Sequence, residues 1–437
     1  MHTFSQQCNP AELGSQMITL MQRLYPICRS ITGDGLRQTL QIIQEQIPLT
    51  LHEVPTGTQA FDWTVPKEWN VRDAYVKNER GEKVIDFQKH NLHLVNYSTP
   101  IHQKMPLAEL KKHLHSLPDY PDWIPYRTTY YAETWGFCLS HNALSALEEG
   151  TYEVYIDSTL EEGHLTYGEL VLPGATEEEV LISTHCCHPS LCNDNLAGIA
   201  LATHLALHLS EQERRYTYRF LFLPGTIGAI TWLSQHEAQA ARIQHGLVVA
   251  CVGDPGQMTY KRSRRGDTAI DRAVAHVLQL KAQPYEIVDF SPYGYDERQY
   301  CSPGFNLAVG SLTRTPHGRF PEYHTSADNF DLVQPQHLAD SLATYLAVLN
   351  VLEHNQIVIN QKPKGEPQLG KRGLYGSLGG GKSTQDSVMA MLWVLNLADG
   401  HHTLLEIAEK ANVEFELIRR AAAALLATDL CISGELV

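Results

Sequence analysis

Between residues 167 and 353, near-continuous apolar runs alternate with longer stretches that have helical spacing. The buried strands that this pattern predicts are residues 180–183, 218–223, 246–252 and 306–310. The predicted helices include residues 197–209 and 338–353, and residues 11–47 also have helical spacing. Buried strands that alternate with helices indicate an α/β fold, in which a mostly parallel sheet is flanked by helices.

The pattern changes between residues 61 and 165, which are rich in tyrosine, tryptophan and proline. Short segments here alternate apolar and polar positions between turn residues, as half-buried strands do. The strands predicted in this part include residues 74–76, 92–95 and 152–156. We therefore predict a β-rich domain at residues 61–165, inserted into a core domain that comprises residues 1–60 and 166–358.

The C-terminal part of the chain predicts a separate small domain. Residues 359–386 contain lysine, proline and glycine but few apolar residues, so we expect a linker there. Helical spacing follows at residues 388–398, 403–411 and 415–427, before a short strand-like tail. Thr403 and Glu406 have the spacing of a helix capping box. This order is typical of a winged helix-turn-helix, which we predict at residues 387–437.

The composition is that of an ordinary globular chain, with 43% hydrophobic and 19% charged residues among 437. The net charge of −15 argues against general binding to nucleic acids or to anionic membranes. No run of 18 apolar residues is present, and the first residues do not have the pattern of a signal peptide. The nine cysteines show no framework spacing, which is typical of reduced thiols, so we expect a cytoplasmic protein.

Candidate metal ligands stand at the ends of the predicted core strands. His185 and His188 follow the first strand, and Asp194 comes six residues later in an Asn-Asp-Asn sequence. Asp254 follows the third strand, and His324 precedes the last core helix. Open α/β sheets place metal sites at the carboxyl ends of their strands, where imidazoles and carboxylates can converge. We therefore predict that these residues form a metal site.

Two alternatives to this ligand set remain open from the sequence. The histidines could face solvent in a polar loop, or the neighbouring thiols of Cys186, Cys187 and Cys192 could bind zinc.

A phosphate-binding motif is a weaker candidate for a functional site. Residues 376–383 fit the P-loop pattern, but the residues before them are polar and cannot form the buried strand that a phosphate loop follows. We interpret that segment as part of the linker.

The segments that carry the candidate metal ligands resemble the zinc aminopeptidase superfamily that includes the glutaminyl cyclases. The resemblance covers about residues 10–60 and 165–355. In that family a strand ends in His, an Asn-Asp-Asn loop supplies a metal-bridging Asp, and a strand-end Asp and a late His follow. The matching positions are His185, Asp194, Asp254 and His324, and Asp296 matches an acid before the penultimate strand. The whole chain is more closely similar to poorly characterised bacterial aminopeptidase-like proteins with an inserted β domain and a C-terminal winged helix. The resemblance implies their fold and a zinc cofactor.

Gly225 and Thr226 depart from the family pattern. The family carries a Glu-Glu pair after the second strand; here Gly225 stands in the place of the general base and Thr226 in that of a metal ligand. Neither residue can act as a carboxylate, and two divalent ions need several carboxylates to neutralise them. We therefore predict one zinc ion, with a second ion as the alternative.

The ligands that we predict for the single zinc are His188, Asp194 and His324, which leave a position for water. His185 would be a fourth ligand, a ligand of a second zinc, or a partner of a ligand. Asp254 would orient a histidine by accepting its other N–H group.

A hydrolase at this site also needs a general base. Glu297 is the first candidate, Asp296 the second, and Glu133 in the inserted domain the third, if that domain closes over the site. The alternative for Glu297 is a salt bridge with Arg298. The residues that we predict to bind substrate are Arg298, Arg264 in the basic run 261–265, and Tyr323.

These expectations give a functional hypothesis: a zinc-dependent hydrolase of aminopeptidase type that cleaves an amide or peptide bond through metal-activated water. The alternatives are a zinc-dependent amide or amino-sugar transferase or cyclase in polysaccharide metabolism, and a catalytically inactive metal-binding regulator. The expected partner is a small peptide or amide substrate, without a membrane or nucleic acid, since the predicted recognition helix contains only two basic residues. The winged helix would instead contact a protein partner or a second copy of the chain.

Overall fold

The computed structural model describes residues 10–374 and 382–434, and these residues form two compact units. The larger unit contains residues 10–268 and 285–343, and the smaller unit contains the described residues of 269–284 and 344–434. The P-loop-like residues 376–381 lie outside the described residues. No helix in the described ranges is both long enough and apolar enough to cross a bilayer.

The larger unit holds most of the strands. In chain order they are β1 (Thr50–Pro55), β2 (Gln59–Ala60), β3 (Trp63–Thr64), β4 (Glu68–Lys77), β5 (Lys83–Asp86), β6 (Ile101–Pro106), β7 (Leu114–His115), β8 (Phe137–Cys138), β9 (Thr151–Glu161), β10 (His164–Leu172), β11 (Glu179–His185), β12 (Thr217–Leu223), β13 (Ile243–Val249), β14 (Met258–Lys261), β15 (Tyr285–Val288) and β16 (Val309–Thr313).

The larger unit also contains most of the helices. They are α1 (Pro10–Leu24), α2 (Asp34–Gln44), α3 (Leu107–Leu110), α4 (His141–Ser145), α5 (Ala197–Ser210), α6 (Ile227–Gln235), α7 (Glu237–Ala240) and α9 (Glu297–Tyr300). Helix α8 (Ala269–Leu280) belongs to the smaller unit, and α10 (Pro335–His354) begins in the larger unit and ends in the smaller one.

The main sheet has eight strands in the order β1-β10-β12-β11-β13-β16-β14-β15. Its four central strands, β12, β11, β13 and β16, are parallel to one another. They pair antiparallel with β10 on one side and with β14 on the other. Every residue of β11 is buried, as expected for a strand covered by helices on both faces. The predicted α/β class is therefore confirmed, with the parallel arrangement concentrated in the centre of a mixed sheet.

The predicted core strands all occur, but two of them are displaced along the chain. The third runs over Ile243–Val249 instead of 246–252, and the fourth over Val309–Thr313 instead of 306–310. Asn306 has a positive φ of 48° and so belongs to the turn before the fourth strand. Apolar runs in a sequence identify a buried strand well, but they do not separate it from an equally buried turn at its end.

A second sheet, in the order β5-β4-β9-β6, is formed within residues 68–161. Its centre is the long antiparallel pair of β4 and β9, in which buried and partly exposed positions alternate.

The prediction of a strand at 92–95 was wrong. Asn91–His93 form a short 3-10 turn instead, and the His90 side chain caps it by accepting the N–H of Leu92.

The smaller unit contains three further helices and a three-stranded sheet. Its elements are α11 (Lys382–Leu397), α12 (Leu404–Ala411), α13 (Phe415–Leu426), β17 (Ile357–Asn360), β18 (Asp399–Thr403) and β19 (Cys431–Gly434). The predicted capping box is present, with Thr403 accepting the N–H of Glu406 and Glu406 accepting that of Thr403. The structure differs from the predicted linker at both ends, because β17 is the central strand of the small sheet and α11 begins at Lys382.

Glu68 links the inserted sheet to the first core helices. Arg37 on α2 donates hydrogen bonds to both carboxylate oxygens of Glu68 on β4, and the distance from Nη1 to Oε2 is 3.0 Å. Burial by itself opposes the charge on Glu68, but the bonds from Arg37 and from the backbone N–H of His164 lower its pKa to about 2. Glu68 is therefore ionised in the folded protein even at acid pH.

Replacing Glu68 with Gln should lower the stability at neutral pH but much less in acid. A carboxylate whose pKa is lowered by folding stabilises the protein above its ordinary pKa of 4.5, and this contribution is lost as the pH falls toward about 2. We expect urea unfolding to show a deficit of about 1–2 kcal/mol at pH 7, a value reduced for partial exposure. Glu45→Gln, which removes an exposed ion pair with Arg23, is the control and should cost less than about 0.5 kcal/mol. Equal deficits for Glu68→Gln at pH 7 and pH 3 would contradict this account.

Candidate metal centre

The centre is built at the carboxyl end of β11. His185 is the last residue of this strand, and the irregular turn Cys192–Leu196 returns Asp194 to the same place before α5 begins. His185 and Asp194 are almost completely buried, with 2% and 1% of their surfaces exposed. A buried strand followed by a loop and a buried helix is how this sheet brings polar groups to its rim.

Three histidines surround the carboxylate of Asp194. The Nε2 atom of His185 lies 2.9 Å from Oδ1, and the Nε2 atom of His324 lies 3.0 Å from Oδ2. The Nε2 atom of His188 lies 3.9 Å from Oδ2. One ligand atom each from His185, His188 and Asp194 can be chosen so that all lie within 4.8 Å of one another. The structure therefore brings together four residues that the sequence predicted as ligands.

The electrostatics of these groups favour the protonation states that bind metals. Burial lowers the pKa of His188 well below its ordinary value, which keeps the imidazole neutral. Burial by itself raises the pKa of Asp194, but the His188 ring and the hydrogen bonds from His185 and His324 hold it well below its ordinary value. Metal ions bind neutral imidazoles and ionised carboxylates, so this donor set is ready to receive a cation.

Two further acids hold the Asp194 turn in place. Asp328 accepts hydrogen bonds from the backbone N–H groups of Asn193 and Asp194, at 2.5 and 2.9 Å. Asp254 accepts the side-chain amide of Asn193 at 3.0 Å and also binds the backbone N–H of Thr315. Asp254 therefore contacts the turn that carries Asp194 and makes no hydrogen bond to the three histidines. These contacts differ from the predicted role of Asp254, in which it would accept the N–H of a histidine.

The inserted region contributes to the centre through Tyr126. Its backbone N–H donates to the carbonyl of His324 at 2.7 Å, and its ring lies 5.1 Å from the rings of both His188 and His324. Tyr323 stacks on His324 from another side, with 4.0 Å between the ring centres. The ring of Tyr295 stacks on His185 at 5.1 Å. Aromatic rings thus fix the orientation of the imidazoles.

A cavity of about 410 Å³ opens beside these residues, and His185 and His188 form part of its wall. Aromatic side chains line much of the rest: Trp63, Tyr130, Tyr131, Tyr293, Tyr295 and Tyr323. Concave, mostly apolar cavities with a few polar groups are typical of small-molecule sites. The cavity gives the candidate metal ligands access to a small molecule.

Gly225 and Thr226 form the wall next to His185. A Cβ atom added at Gly225 would lie 3.4 Å from the Cβ of His185, so position 225 borders the centre as the family pattern implies. Thr226 has a positive φ of 68°, which is unusual for a β-branched residue, and its N–H donates to Oδ1 of Asp296 at 2.7 Å. Asp296 therefore places a carboxylate in the same wall as positions 225 and 226.

Asp296 is buried and lines the cavity. Burial raises its pKa to about 6 from an ordinary value of 3.8, although nearby His185 and the hydrogen bond from Thr226 act in the opposite direction. A carboxyl group that titrates near neutral pH at a cavity wall is suited to exchange protons with a bound molecule.

The other candidate bases lie elsewhere. Glu297 is buried, does not line the cavity, and forms a 2.7 Å ion pair with Lys261 in place of the predicted alternative with Arg298. Glu133 is exposed and pairs with Lys67, and it does not line the cavity either. Among the three predicted bases, Asp296 is the one that the structure places in the wall.

Two of the three predicted substrate-binding residues line the cavity, and the third does not. Arg298 and Tyr323 line the cavity. Arg264 is exposed, and it donates a hydrogen bond to the side chain of Asn306 instead of facing the cavity. Arg264 is therefore a surface residue, whereas Lys261 at the start of the basic run pairs with the buried Glu297.

The thiols near the centre are buried. Burial raises the pKa of Cys187 to about 12 and raises the pKa values of Cys186 and Cys192 well above their ordinary value. Cys187 lines the cavity, and its Sγ lies 3.4 Å from Nδ1 of His188. The group of mutually close ligand atoms found among the described residues contains His185, His188 and Asp194, without these thiols.

Several contributing residues were missed by the sequence analysis. Asp328 and Tyr295 lie inside segments that contain predicted ligands or bases, so their position next to those residues was an available signal. Tyr126, Trp63 and Tyr131 come from the inserted region, where no pattern distinguishes a tyrosine at the centre from one in the core. Their roles depend on how the insertion packs.

The chain matches proteins of known sequence and structure along nearly its whole length. Residues 18–355 match the family described as Domain of unknown function (DUF4910), and residues 356–433 match a winged helix-turn-helix. A Clostridium acetobutylicum protein, provisionally named polysaccharide biosynthesis protein with aminopeptidase-like domain, is 53% identical over 422 residues, with 97% of each chain covered.

Solved structures show the fold. The crystal structure of a provisionally named peptidase from Clostridium acetobutylicum matches with a TM-score of 0.93 at 51% identity, covering 97% of each chain. A zinc aminopeptidase from Bacillus subtilis matches with a TM-score of 0.57 at 10% identity, covering 78% of this chain and 94% of the other. The fold is thus that of the aminopeptidases, and the winged helix is confirmed.

Metal analysis of the purified full-length protein tests the centre. We expect about one divalent ion per chain in the wild type, and a decrease of at least about tenfold in Asp194→Ala and in His188→Ala, because each removes a ligand. Asp157→Ala, which alters a surface ion pair with Arg72, is the control and should keep its metal. Circular dichroism would establish that the variants are folded. Full metal content in a folded Asp194→Ala protein would overturn the site.

Proposed function

The chain belongs to the family described as Domain of unknown function (DUF4910), and from this family's aminopeptidase-like fold we propose that it is a zinc-dependent hydrolase of aminopeptidase type. It would act on an amide or peptide bond. The observation that carries this proposal is the meeting of His185, His188, Asp194 and His324 beside one cavity. His185, His188 and Asp194 come from one segment, and His324 joins them from 130 positions further along the chain.

The donor set fits a single zinc ion. His188, Asp194 and His185 would hold it, and His324, which contacts the second oxygen of Asp194, is the remaining donor. Two imidazoles with one carboxylate are a ligand set that zinc prefers, and they leave a coordination position for a reactant, which a third imidazole would fill. When bound, zinc supplies Lewis acidity, which polarises a carbonyl group and makes water more acidic.

Asp296 would act as the general base of the reaction. It accepts a proton from water while the water oxygen bonds to the carbonyl carbon, and it returns the proton to the amine nitrogen as the C–N bond breaks. The products are a carboxylic acid and an amine. Its place in the wall beside Gly225 and Thr226 supports this role, because the family pattern puts a carboxylate at that side of the centre.

A transferase that acts on an amide or amino sugar in polysaccharide metabolism is the second candidate. Two observations favour it: glycine and threonine occupy positions 225 and 226, and the name of the 53% identical relative refers to polysaccharide biosynthesis. A transferase would pass the acyl group to an amine or hydroxyl acceptor in place of water.

The winged helix-turn-helix would serve as a contact for a protein partner or for a second copy of the chain. The two arginines of α13, Arg419 and Arg420, both donate to Glu416 on the same helix. Their charges are therefore partly neutralised within the helix, which disfavours multiple contacts with the phosphates of DNA.

We also propose a cytoplasmic location, since the cysteines of the described ranges are free thiols, as is usual in a reducing compartment.

Loss of the base should lower turnover without loss of metal. We expect Asp296→Asn to reduce kcat for an amide substrate by about 10²–10⁴-fold, because a carboxamide cannot accept the proton. The metal content should stay at the wild-type value. In the wild type, kcat should rise with pH through about 6, since the ionised form of Asp296 is the active one.

Asp289→Asn removes an exposed carboxylate and is the matched control, with expected wild-type kcat. Chelation with EDTA should abolish turnover and added zinc should restore it. If Asp296→Asn kept wild-type kcat, another group would have to be the base. If no amide were cleaved by the zinc-loaded protein, the hydrolase proposal would fail.

Product analysis with an added acceptor separates the two candidate reactions. A hydrolase should release the free acid from an acylated amine at a rate that added glucosamine leaves unchanged, at about 1 mM, the upper end of ordinary KM values. A transferase should form N-acylglucosamine instead, detected by mass spectrometry. Predominance of the transferred product would favour the second candidate over the first.

A further inference from the structure

Arg298 is a partly unpaired cation in the wall of the cavity. Its Nη2 atom donates one long hydrogen bond, of 3.3 Å, to Oγ1 of Thr226. Its Nε atom is buried and has no hydrogen-bond partner in the described part of the chain. The neighbouring acids are directed elsewhere, since Glu297 pairs with Lys261 and Oδ1 of Asp296 accepts the N–H of Thr226.

A buried N–H donor without a partner, such as the Nε of Arg298, is costly unless a ligand completes its hydrogen bond. Arginine presents its N–H groups in a planar fork that matches the two oxygens of a carboxylate. Because Arg298 shares the cavity with His185 and His188, a carboxylate bound to it would belong to a molecule that also reaches the metal ligands.

The charges of the cavity disfavour a substrate with a free amino terminus. Such a substrate carries an ammonium group, which needs a carboxylate near it and is repelled by Arg298. Among the described residues that line the cavity, Asp296 is the only carboxylate, and it is buried and engaged with Thr226. Recognition of an anion is therefore better supported than recognition of an amino terminus.

Exposed aromatic rings also line the cavity. Trp63, Tyr131 and Tyr293 line it while 43%, 51% and 71% of their surfaces stay exposed. The rings of Trp63 and Tyr131 are 5.4 Å apart, and the guanidinium of Arg298 lies 5.8 Å from the ring of Tyr293. Large exposed rings grouped around one cavity offer a surface for the flat or apolar part of a bound molecule.

From these contacts we propose that the substrate is an N-acylated acid: an amide that carries a free carboxylate and an apolar body. Arg298 binds the carboxylate, Trp63 and Tyr131 cover the apolar body, and the amide lies beside His185 and His188. This inference rests on the proposed hydrolase function and names its substrate class. Water adds its oxygen to the acyl carbon, the C–N bond breaks, and the nitrogen takes the proton that water loses.

Three related probes compare the substrate classes in the full-length zinc-loaded protein. They are N-acetylphenylalanine, N-acetylphenylalanine amide and phenylalanine amide, which are anionic, neutral and cationic at pH 7. We expect kcat/KM for release of acetate to be at least about tenfold higher for the acid than for its neutral amide, as a charge-assisted hydrogen bond pair implies. Release of ammonia from phenylalanine amide should be slower than either.

Binding measured by isothermal titration calorimetry keeps recognition separate from catalysis. With EDTA-treated protein, where neither turnover nor a metal–carboxylate contact contributes, N-acetylphenylalanine should bind at least about tenfold more tightly than its amide. Arg298→Met should remove this difference, and Arg298→Lys should restore part of it. Trp63→Leu should weaken both ligands equally. Arg72→Met, which replaces an exposed arginine on β4, is the matched control and should bind like the wild type.

The outcomes distinguish this inference from the proposed function. Hydrolysis without preference for the acid, or an Arg298→Met variant that weakens acid and amide equally, would overturn the substrate class and leave the hydrolase. Binding of the acid through Arg298 without hydrolysis of any probe would support the substrate class and count against the hydrolase. Absence of acid-selective binding in the folded wild type would overturn the inference outright.

Discussion

The centre depends on keeping one carboxylate ionised away from water. Asp194 is 1% exposed, and burying an isolated charge is prohibitively costly, so its surroundings must replace the lost hydration. His185 and His324 each contact one of its oxygens, and Asp328 fixes the backbone on which it stands. The burial of β11, the irregular turn before α5 and the His324 loop all serve this one arrangement. A cation would complete it by placing a positive charge beside the carboxylate.

The carboxylate in the cavity wall comes from Asp296, since positions 225 and 226 carry no acid. Gly225 borders His185, where a Cβ atom would lie 3.4 Å from its Cβ, yet it has no side chain to act as an acid. Asp296 reaches the same wall from the turn before α9 and is held there by the N–H of Thr226. Its environment raises its pKa to about 6, so the carboxyl group at this wall is mostly ionised at neutral pH and gains its proton as the pH falls below about 6. The general base proposed for the protein therefore comes from the segment before α9 and not from positions 225 and 226.

The inserted region is part of the site as well as an addition to the fold. Tyr126 binds the backbone of His324 and contacts two of the histidine rings, while Trp63 and Tyr131 form the outer wall of the cavity. Residues of the insertion therefore supply part of the aromatic lining of the cavity. The core supplies the candidate metal ligands, and the insertion and the segment around Arg298 form the wall beside them.

The sequence by itself determined the α/β class and the core strands, and it named the histidines that the structure places around Asp194, because apolar runs and strand-end histidines are local patterns. It also located the winged helix and its Thr403 capping box, which depends on residues three positions apart. It could not decide between Asp296 and Glu297, adjacent acids of which one faces the cavity and the other binds Lys261. Nor could it place Tyr126 at the histidines or Arg264 outside the cavity. Those outcomes depend on long-range packing, which sets the burial and the partners of each side chain, and only the tertiary structure decided them.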